Sequence, residues 1–236
     1  MPKKQGIKAL FNNIAPEYDK LNHILSLDID KIWRRRAVKY IIEPQKAQKL
    51  LDIACGTGDF TLAIAKKANP ESEIIGLDLS EEMMKIGRKK IEGEGYSSRI
   101  SLVEGDSEAI KYSTGYFDRV SVAFGVRNFE NLSLGLSEMH RVLKPGGRLV
   151  ILELSIPSNP IFLYLYKLYF LKILPFIGGK ISGNKSAYEY LPSSVMNFPK
   201  PDKFKGIMSD CGFKNIIYKP YTFGICSLFI GEKDTD

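Results

Sequence analysis

The chain has little cysteine and histidine. Its 236 residues include three cysteines and two histidines, which are Cys55, Cys211, Cys226, His23 and His140. An odd number of cysteines without metal-site spacing points to a reducing compartment and to no bound metal. A secretory signal is also absent from the start of the sequence, because residues 1–5 lead into an amphipathic segment and not into an apolar core. We therefore expect a cytoplasmic protein.

Long hydrophobic runs are missing as well. The most apolar stretch, residues 161–174, contains Lys167 and Lys172 and has prolines on both sides. It is too short and too charged to be a good membrane span. A helix that is apolar nearly all round is either buried beneath the residues that follow it or meets a lipidic surface or ligand. The sequence leaves these alternatives open.

Positive charge exceeds negative charge. The net charge is +7, with 44% hydrophobic and 26% charged residues, which is ordinary for a soluble domain apart from the sign. The length suits a single domain over residues 1–236. Basic clusters at residues 34–36 and 88–90 fall on predicted helices. No RNA-binding signature accompanies them, so we interpret them as solvated helix faces and expect no nucleic-acid partner.

The dinucleotide fingerprint is incomplete. The apolar run Lys49–Ile53 is followed by Gly56 and Gly58, but Thr61 stands where that fingerprint has its last glycine. Glycines without a Cβ let a ligand lie against the backbone, although a plain structural turn is the simpler alternative. Asp52, just before the loop, would repel a pyrophosphate and suit a cationic or hydroxyl-bearing ligand. The loop predicts a nucleoside site for something other than a dinucleotide.

Two further strands end in acids near the same rim. The predicted strand Glu73–Asp78 ends in a carboxylate placed to hold ribose hydroxyls. The next strand ends at Asp106, where Asp106 and Ser107 would meet an adenine edge. Strands alternate with helical segments from residue 49 to about residue 154, which predicts a parallel, doubly wound α/β sheet. Three strands with an Asp near one rim resemble the Rossmann-like methyltransferases that use S-adenosylmethionine.

Helices precede and follow the predicted sheet. Residues 6–42 are predicted as helical segments that Pro16 interrupts, with Asp30 capping the third of them. We expect residues 1–45 to form a helical cap and residues 156–200 to form a helical insertion over the substrate site. A helix from Pro201 to Cys211 and two strands complete the chain. The resemblance implies seven strands with an antiparallel final pair.

Three stretches narrow the resemblance to one family. Residues 18–33, residues 141–155 and Phe124–Asn128 (Phe-Gly-Val-Arg-Asn) resemble signatures of the menaquinone/ubiquinone-biosynthesis C-methyltransferases. The chain departs from them at three positions. Leu21 replaces a methionine, Asp30 replaces a histidine, and Ala123 replaces a serine that the family often has near the cofactor. We therefore assign no role to Asp30 from the sequence.

This resemblance implies an activity and a cofactor. The activity is transfer of a methyl group from S-adenosylmethionine to a ring carbon of a polyprenylated quinol, with demethylmenaquinol as the leading acceptor. An aromatic carbon becomes a good nucleophile when the adjacent hydroxyl loses its proton, so a base is needed. The sequence leaves the choice between naphthoquinol and benzoquinol open.

The same resemblance suggests roles for individual residues. We expect Arg127 to stabilise the quinolate, Asn128 to hold substrate or water or else to cap the next helix, and His23 to be a candidate base. His140 is interpreted as a packing residue. The residues expected to bind the cofactor are Asp52, Gly56, Thr57, Gly58, Asp78, Asp106 and Ser107. Tyr18 and Asp19 are expected either to close the cap over the site or to serve only local helix packing and capping.

Other interpretations stay open at this point. They are a methyltransferase acting on another acceptor, such as a sterol carbon or an amine, a non-catalytic protein that binds S-adenosylmethionine, and an oxidoreductase. The +7 charge and residues 161–174 suggest contact with the inner face of the membrane. A homodimer is one expected assembly.

Overall fold

A single seven-stranded sheet forms the centre of the molecule. The computed structural model describes residues 4–169 and 185–235. Its strands are β1 (Lys49–Ile53), β2 (Glu73–Asp78), β3 (Ile100–Glu104), β4 (Phe117–Ala123), β5 (Leu143–Leu154), β6 (Lys214–Tyr221) and β7 (Cys226–Glu232). The spatial order is β3-β2-β1-β4-β5-β7-β6, and only β7 runs antiparallel to its neighbours. The predicted fold class and the antiparallel final pair are confirmed.

Helices cover both faces of the sheet. They are α1 (Lys4–Ser26), α2 (Ile29–Ile41), α3 (Asp59–Ala65), α4 (Glu81–Gly93), α5 (Leu132–Val142), α6 (Pro160–Leu168), α7 (Lys185–Asn197) and α8 (Pro201–Asp210). The central strands are apolar on both sides: Leu50 packs with α2 and α3, whereas Leu51 packs with α5 and α8. Burial on both faces explains why these strands have continuous apolar runs in the sequence.

Two predictions about the first helices are wrong. Helix α1 continues through Pro16, although a proline inside a helix costs about 3 kcal/mol. Contacts with the rest of the protein offset this cost, among them the ion pair of Lys4 with Asp106. Asp30 does not cap α2 either. Asp28 occupies the capping position without a side-chain hydrogen bond, and Asp30 lies in the first turn with its carboxylate turned inward.

The turn after α5 also differs from the prediction. Helix α5 ends at Val142, and β5 begins directly at Leu143 instead of at Arg148. Residues 145–147 therefore lie inside the strand, where its register with β4 shifts. At α4, by contrast, the predicted cap is confirmed, because Ser80 Oγ accepts a hydrogen bond from the Met83 amide.

The apolar stretch at residues 161–174 is described only in part, since residues 170–174 lie outside the described residues. Within α6, Tyr166 is buried, but Ile161, Tyr164 and Leu165 are exposed. For the described part of this stretch, the alternative that the helix is buried beneath the residues that follow it is therefore wrong. None of the helices in residues 4–169 and 185–235 is long and apolar enough to cross a bilayer. The assignment of a cap at 1–45 and a substrate-covering insertion at 156–200 stays a prediction.

Gly87 lets α4 approach the loop that follows β1. A Cβ on Gly87 would lie 2.7 Å from Leu102 Cδ1 and 3.2 Å from the Thr57 carbonyl carbon. Gly206, within α8, has open space at the same position. Ala favours a helix over Gly at both positions, so helix propensity changes equally in the two variants. A difference between their free energies of unfolding therefore comes from the contacts of the added Cβ. We expect Gly87→Ala to lower the free energy of unfolding by about 1 to 3 kcal/mol.

Gly206→Ala is the matched control, and it should raise the free energy of unfolding by about 0.4 to 1 kcal/mol. Urea unfolding of both variants and the wild type measures the difference. Equal changes in the two variants would show that close packing at Gly87 is unimportant.

Candidate active site

The loop after β1 is held by the acid at the end of β2. The Gly56 amide donates to Asp78 Oδ2 at 2.8 Å, and the Ser80 amide donates to Asp78 Oδ1 at 2.8 Å. Gly56 has φ +54°, and the space where its Cβ would point is empty. Burial raises the pKa of Asp78 above its ordinary value. A carboxylate and a side-chain-free loop thus face the same cleft.

This first cleft, called the nucleoside cleft below, measures about 750 Å³ when the open solvent at its mouth is included. Its lining includes Lys4, Ile7, Phe11, Tyr18, Ala54, Gly56, Asp78, Met83, Asp106, Ser107, Phe124, Asn128 and Phe129. The fold therefore brings together Gly56, Asp78, Asp106 and Ser107, as the sequence predicted. Apolar walls beside a carboxylate rim suit a nucleoside, whose base is flat and whose ribose carries hydroxyl donors.

Helix α1 lies along this cleft through charged contacts. Lys4 Nζ is 2.8 Å from Asp106 Oδ2 and 2.9 Å from Glu108 Oε2. Lys8 pairs with Glu104 at the end of β3. The Ser80 hydroxyl donates to Asn12 Oδ1 at 2.6 Å. Two rim residues of the cleft, Asp106 and Ser80, are thus bonded to α1.

The other residues predicted to bind the cofactor lie beside the cleft. Asp52 is buried and accepts hydrogen bonds from Thr61 Oγ1 (2.6 Å) and Ser121 Oγ (2.9 Å). Together with Thr57 it borders a smaller cavity that adjoins Gly56. Gly58 lines none of the described cavities; it has φ +79° at the start of α3, and its missing Cβ faces Gly87.

Asp19 connects the first helix to the glycine loop. Thr57 Oγ1 donates to Asp19 Oδ1 at 2.5 Å, and Lys90 of α4 pairs with Asp19 Oδ2. The carboxylate thus joins α1 to two segments that follow in sequence, which is more than local capping of its own helix. A closing role for Asp19 over the site stays a prediction.

A second and larger space, called the acceptor cavity below, adjoins the cleft and measures about 1310 Å³ when the open solvent at its mouth is included. Most of its lining is apolar or aromatic, including Leu27, Ile29, Trp33, Phe124, Leu154, Phe162, Leu165, Tyr166, Leu191 and Ile225. The charged side chains in the lining are Asp30, Arg34 and Arg127. An apolar space with few charges suits a largely apolar ligand with one polar end.

Tyr18 and Phe124 line both spaces and separate them. Phe124 has φ +59°, a left-handed conformation that is rare for a bulky residue. Its amide donates to the Leu152 carbonyl at 2.7 Å, and its carbonyl accepts from Arg127 Nη1 at 2.5 Å. Strained backbone held by its surroundings is typical of functional sites. Burial raises the pKa of Tyr18, which keeps the phenol protonated.

Arg127 is fixed by a buried ion pair with Glu153, a residue that sequence reasoning missed. Arg127 Nη1 lies 2.5 Å from Glu153 Oε1, and the Arg127 amide donates to Glu153 Oε2 at 3.2 Å. Arg127 Nε donates to Ser194 Oγ of α7 at 3.3 Å. Nη2 makes no hydrogen bond to any described residue, and Arg127 borders the acceptor cavity. In the sequence, Glu153 is marked by being the single acid within the apolar stretch Val150–Leu154.

Asn128 faces the nucleoside cleft and not the acceptor cavity. Its Oδ1 accepts a hydrogen bond from the Tyr190 hydroxyl at 2.8 Å. The alternative interpretation of Asn128 as a helix cap is wrong, because Asn131 caps α5 by accepting from the Leu134 amide.

His23 lies behind the acceptor cavity and does not line it. Its Nδ1 is 3.1 Å from Asp30 Oδ2, and its Nε2 is 3.4 Å from Asp59 Oδ2. Asp30, for which no role was predicted, is the only carboxylate among the described residues of the cavity lining. It also accepts from Ser26 Oγ at 2.6 Å and pairs with Arg34.

The second histidine and the acids near His23 have simpler interpretations. The His140 ring packs edge-on against Phe213 with centroids 5.1 Å apart, and burial lowers its pKa, as expected for a packing residue. His23, Asp28 and Asp30 could offer three ligand atoms within 4.8 Å of one another. Because Arg34 and Lys31 already pair with these carboxylates, we assign no metal ion there.

Comparison with known proteins identifies the family. The model of the ubiE/COQ5 methyltransferase family matches residues 1–233. The chain belongs to this family. It is 46% identical over 231 residues to the ubiquinone/menaquinone biosynthesis C-methyltransferase UbiE of Geobacter sulfurreducens, covering 98% of this chain and 90% of the relative. It is 43% identical to the demethylmenaquinone methyltransferase of Bacteroides fragilis, covering 98% and 94% of the two chains.

Solved structures give the same fold at low sequence identity. A putative S-adenosylmethionine-dependent methyltransferase from Methanococcus maripaludis superimposes with a TM-score of 0.66 at 21% identity, covering 100% of this chain and 96% of that one. The putative methyltransferase in complex with the Haloferax volcanii activator Trm112 gives a TM-score of 0.68 at 15% identity, covering 95% and 97%. These structures support the fold, whereas the family model and the relatives above show that the chain is a methyltransferase whose cofactor is S-adenosylmethionine, so the oxidoreductase alternative is wrong.

The residues of the nucleoside cleft fit this cofactor. Asp78 would hold the ribose hydroxyls, and the open backbone at Gly56 leaves room beside it. Asp106 and Ser107 stand at the adenine side, and Phe129 supplies an apolar wall. Bound there, the cofactor supplies a methyl group on a sulfonium. These individual assignments stay predictions.

Burial raises the pKa of Asp52 from 3.8 to about 6. Between these values the folded protein holds more protons than the unfolded chain, so its free energy of unfolding falls as pH rises through this window. Asp52→Asn removes the titrating group. From pH 4 to pH 7 we expect the wild type to lose about 2 to 3 kcal/mol relative to the variant. Urea unfolding at both pH values measures this, and a pH-independent difference would contradict the raised pKa.

Proposed function

We propose that this methyltransferase methylates a ring carbon of demethylmenaquinol, a polyprenylated naphthoquinol, and so forms menaquinol. One observation carries the proposal: a large apolar cavity shares Tyr18 and Phe124 with the nucleoside cleft and contains a buried guanidinium near that wall. A flat quinol ring beside these residues would place its carbon near the methyl donor, with the prenyl chain in the apolar part. The names of the relatives from Bacteroides fragilis and Staphylococcus carnosus, both demethylmenaquinone methyltransferases, support this acceptor.

Arg127 is proposed to stabilise the quinolate. Its Nη1 is used by Glu153 and the Phe124 carbonyl, whereas Nη2 makes no hydrogen bond among the described residues and can donate to an oxyanion. Because an arginine stays protonated, it cannot take the proton itself. A preorganised donor in a site with little water favours developing negative charge. Asn128 would act from the cofactor side, by holding the reacting groups or a water molecule.

Asp30 and His23 are proposed to accept the proton as a pair. The quinol O–H bond breaks, the proton passes to the Asp30 carboxylate, and His23 behind it orients that carboxylate and carries the proton onward. The ring carbon then forms its bond to the methyl group while the bond from methyl to sulfur breaks. Loss of the proton on that carbon restores the aromatic ring, and the ring oxygen takes a proton back to give menaquinol, so one proton is released overall for each methyl transferred. His23 thereby keeps a role in proton transfer without touching the acceptor.

The acceptor assignment is tested by transfer of a labelled methyl group from S-adenosylmethionine to demethylmenaquinone, with and without dithionite. Because only the quinol has a hydroxyl to deprotonate, labelled menaquinone should form only after reduction. A demethylated benzoquinone of equal prenyl length, assayed in parallel, tests the preference for naphthoquinol. No product, with cofactor binding confirmed by calorimetry, would contradict the proposed acceptor.

The proton pair is tested by Asp30→Asn. We expect kcat to fall by about 10² to 10⁴, with little change in the affinity for S-adenosylmethionine. Asp202→Asn is the matched control, since Asp202 is exposed, lies in the first turn of α8 as Asp30 lies in that of α2, and pairs with Lys205 at the surface. It should change kcat less than twofold.

Because Asp30→Asn also leaves Arg34 without its buried partner, urea unfolding should accompany the kinetics, and His23→Gln supplies a second variant. If Asp30→Asn kept the wild-type kcat while His23→Gln lowered kcat strongly, the base would be His23 and not Asp30.

We further propose that the protein works in the cytoplasm, at the inner face of the membrane. Its three cysteines are unpaired, as a reducing compartment requires. Contact with the membrane surface would bring the enzyme to a polyprenylated acceptor. The homodimer expected from the sequence also stays a proposal, and sedimentation of the purified chain would test it.

A further inference from the structure

We propose that one face of the protein, at the mouth of the acceptor cavity, docks on an anionic lipid bilayer. This docking face consists of exposed side chains from the turn before α2, from α2 itself, from α6 and from the turn between β6 and β7. They are Leu27, Arg35, Arg36, Ile161, Tyr164 and Phe223. The inference rests on the proposed function insofar as a polyprenylated acceptor resides in such a bilayer.

Large apolar side chains are unusually exposed on this face. Their exposed fractions are 79% for Leu27, 71% for Ile161, 69% for Tyr164 and 67% for Phe223. Single exposed apolar residues are common on protein surfaces, but a group of them indicates an interaction site. A bilayer interface accepts such side chains into the boundary between headgroups and acyl chains.

Direct contacts join the segments that carry these side chains. The Phe162 ring of α6 stacks on the Phe223 ring with centroids 4.0 Å apart. Trp33 Nε1 of α2 donates to Thr222 Oγ1 at 2.8 Å, immediately before Phe223. These contacts join α2 and α6 to the turn that bears Phe223, and we assign the exposed residues of these segments to one face.

Two of the apolar side chains sit on left-handed backbone. Leu27, in the turn before α2, has φ 52°, and Phe223, in the turn between β6 and β7, has φ 57°. A bulky residue rarely adopts this conformation, and both side chains lack burial over most of their surface, although Phe223 stacks on Phe162. Insertion into a lipid surface would supply that burial.

Cations lie on two of the segments that form the docking face. The exposed side of α2 carries Arg35, Arg36 and Lys39, and α6 carries Lys167. None of these four forms an ion pair with a carboxylate among the described residues. The Arg36 guanidinium lies 5.7 Å from the centroid of the Tyr221 ring, which places it beside the turn that bears Phe223. Cations of this kind bind anionic headgroups.

The docking face is continuous with the acceptor cavity. Leu27 is highly exposed and also lines the cavity, so it stands at the opening. Phe162 and Leu165 line the cavity from α6, next to the exposed Ile161 and Tyr164. On a bilayer, this arrangement would let a prenyl chain enter the cavity without crossing water.

Co-sedimentation of the full chain with vesicles tests the electrostatic part. We expect binding to vesicles of phosphatidylcholine with phosphatidylglycerol, and much weaker binding to phosphatidylcholine alone. Arg35→Gln with Arg36→Gln should weaken binding by about 10- to 30-fold, from roughly 1 kcal/mol for each cation. Lys67→Gln with Lys89→Gln is the matched control, because these two lysines are exposed, unpaired with any carboxylate among the described residues, and outside the docking face. It should change binding less than twofold.

The apolar part is tested by Ile161→Ser with Phe223→Ser. This pair should weaken binding at least tenfold, whereas Leu134→Ser with Ile217→Ser, at exposed apolar positions elsewhere, should not. Equal losses in test and control pairs, or no binding of the wild type to anionic vesicles, would overturn the proposal. A wild-type dimer that Ile161→Ser with Phe223→Ser converts to a monomer would instead assign the face to a second copy of the chain.

Activity assays separate this inference from the acceptor assignment. The Arg35→Gln/Arg36→Gln variant should retain the wild-type rate on a detergent-solubilised quinol and lose rate on a vesicle-embedded one. Vesicle binding without any methyl transfer to demethylmenaquinol would support the docking face and contradict only the proposed acceptor.

Discussion

The buried ion pair of Arg127 and Glu153 holds the centre of the site together. Removing two charges from water costs several kcal/mol per ion, so such a pair adds little net stability. Breaking it by removing one partner would cost about 3 to 5 kcal/mol, because the other charge stays buried alone. Glu153 also accepts hydrogen bonds from the Arg127 and Leu154 amides. A carboxylate with so many donors fixes one geometry, and this geometry organises the surrounding segments.

Those segments are far apart in the sequence. The guanidinium binds the carbonyl of Phe124 after β4 and the hydroxyl of Ser194 in α7. By holding Phe124 in a left-handed conformation, it maintains the wall between nucleoside cleft and acceptor cavity. Elsewhere in the lining of the cavity, Asp30 is held in the same way by Arg34, His23 and Ser26. Charged side chains that are held in place by ion pairs thus border an otherwise apolar space. In such a space, the fixed orientation of a charged group stabilises a reacting ligand more than water would.

The features that could be predicted from the sequence are those that follow from regular patterns of residues. Apolar runs buried on both faces identified the strands, and acids at their carboxyl ends identified the rim that includes Asp78 and Asp106. Pro16 was misjudged because local helix propensity is overridden by contacts made elsewhere in the fold. The pairing of His23 with Asp30 and Asp59 joins three elements with no periodic spacing, so no sequence pattern announces it. Glu153 did leave a signal, a single acid in an apolar strand, but its partner becomes evident only in three dimensions.

Helix α1 contributes to both ligand sites along its length. Ile7 and Phe11 line the nucleoside cleft, Asn22 and Ser26 line the acceptor cavity, and Tyr18 lines both. When the first ligand orders this helix, part of its binding free energy is used for that ordering. The second ligand then binds to a helix that is already ordered and does not bear this cost again. A ligand that orders this helix at one site would couple binding at the two sites, and the factor by which the cofactor strengthens acceptor binding would equal the factor by which the acceptor strengthens cofactor binding. A continuous helix through Pro16, where two shorter ones were expected, is what makes this cooperativity available to the enzyme.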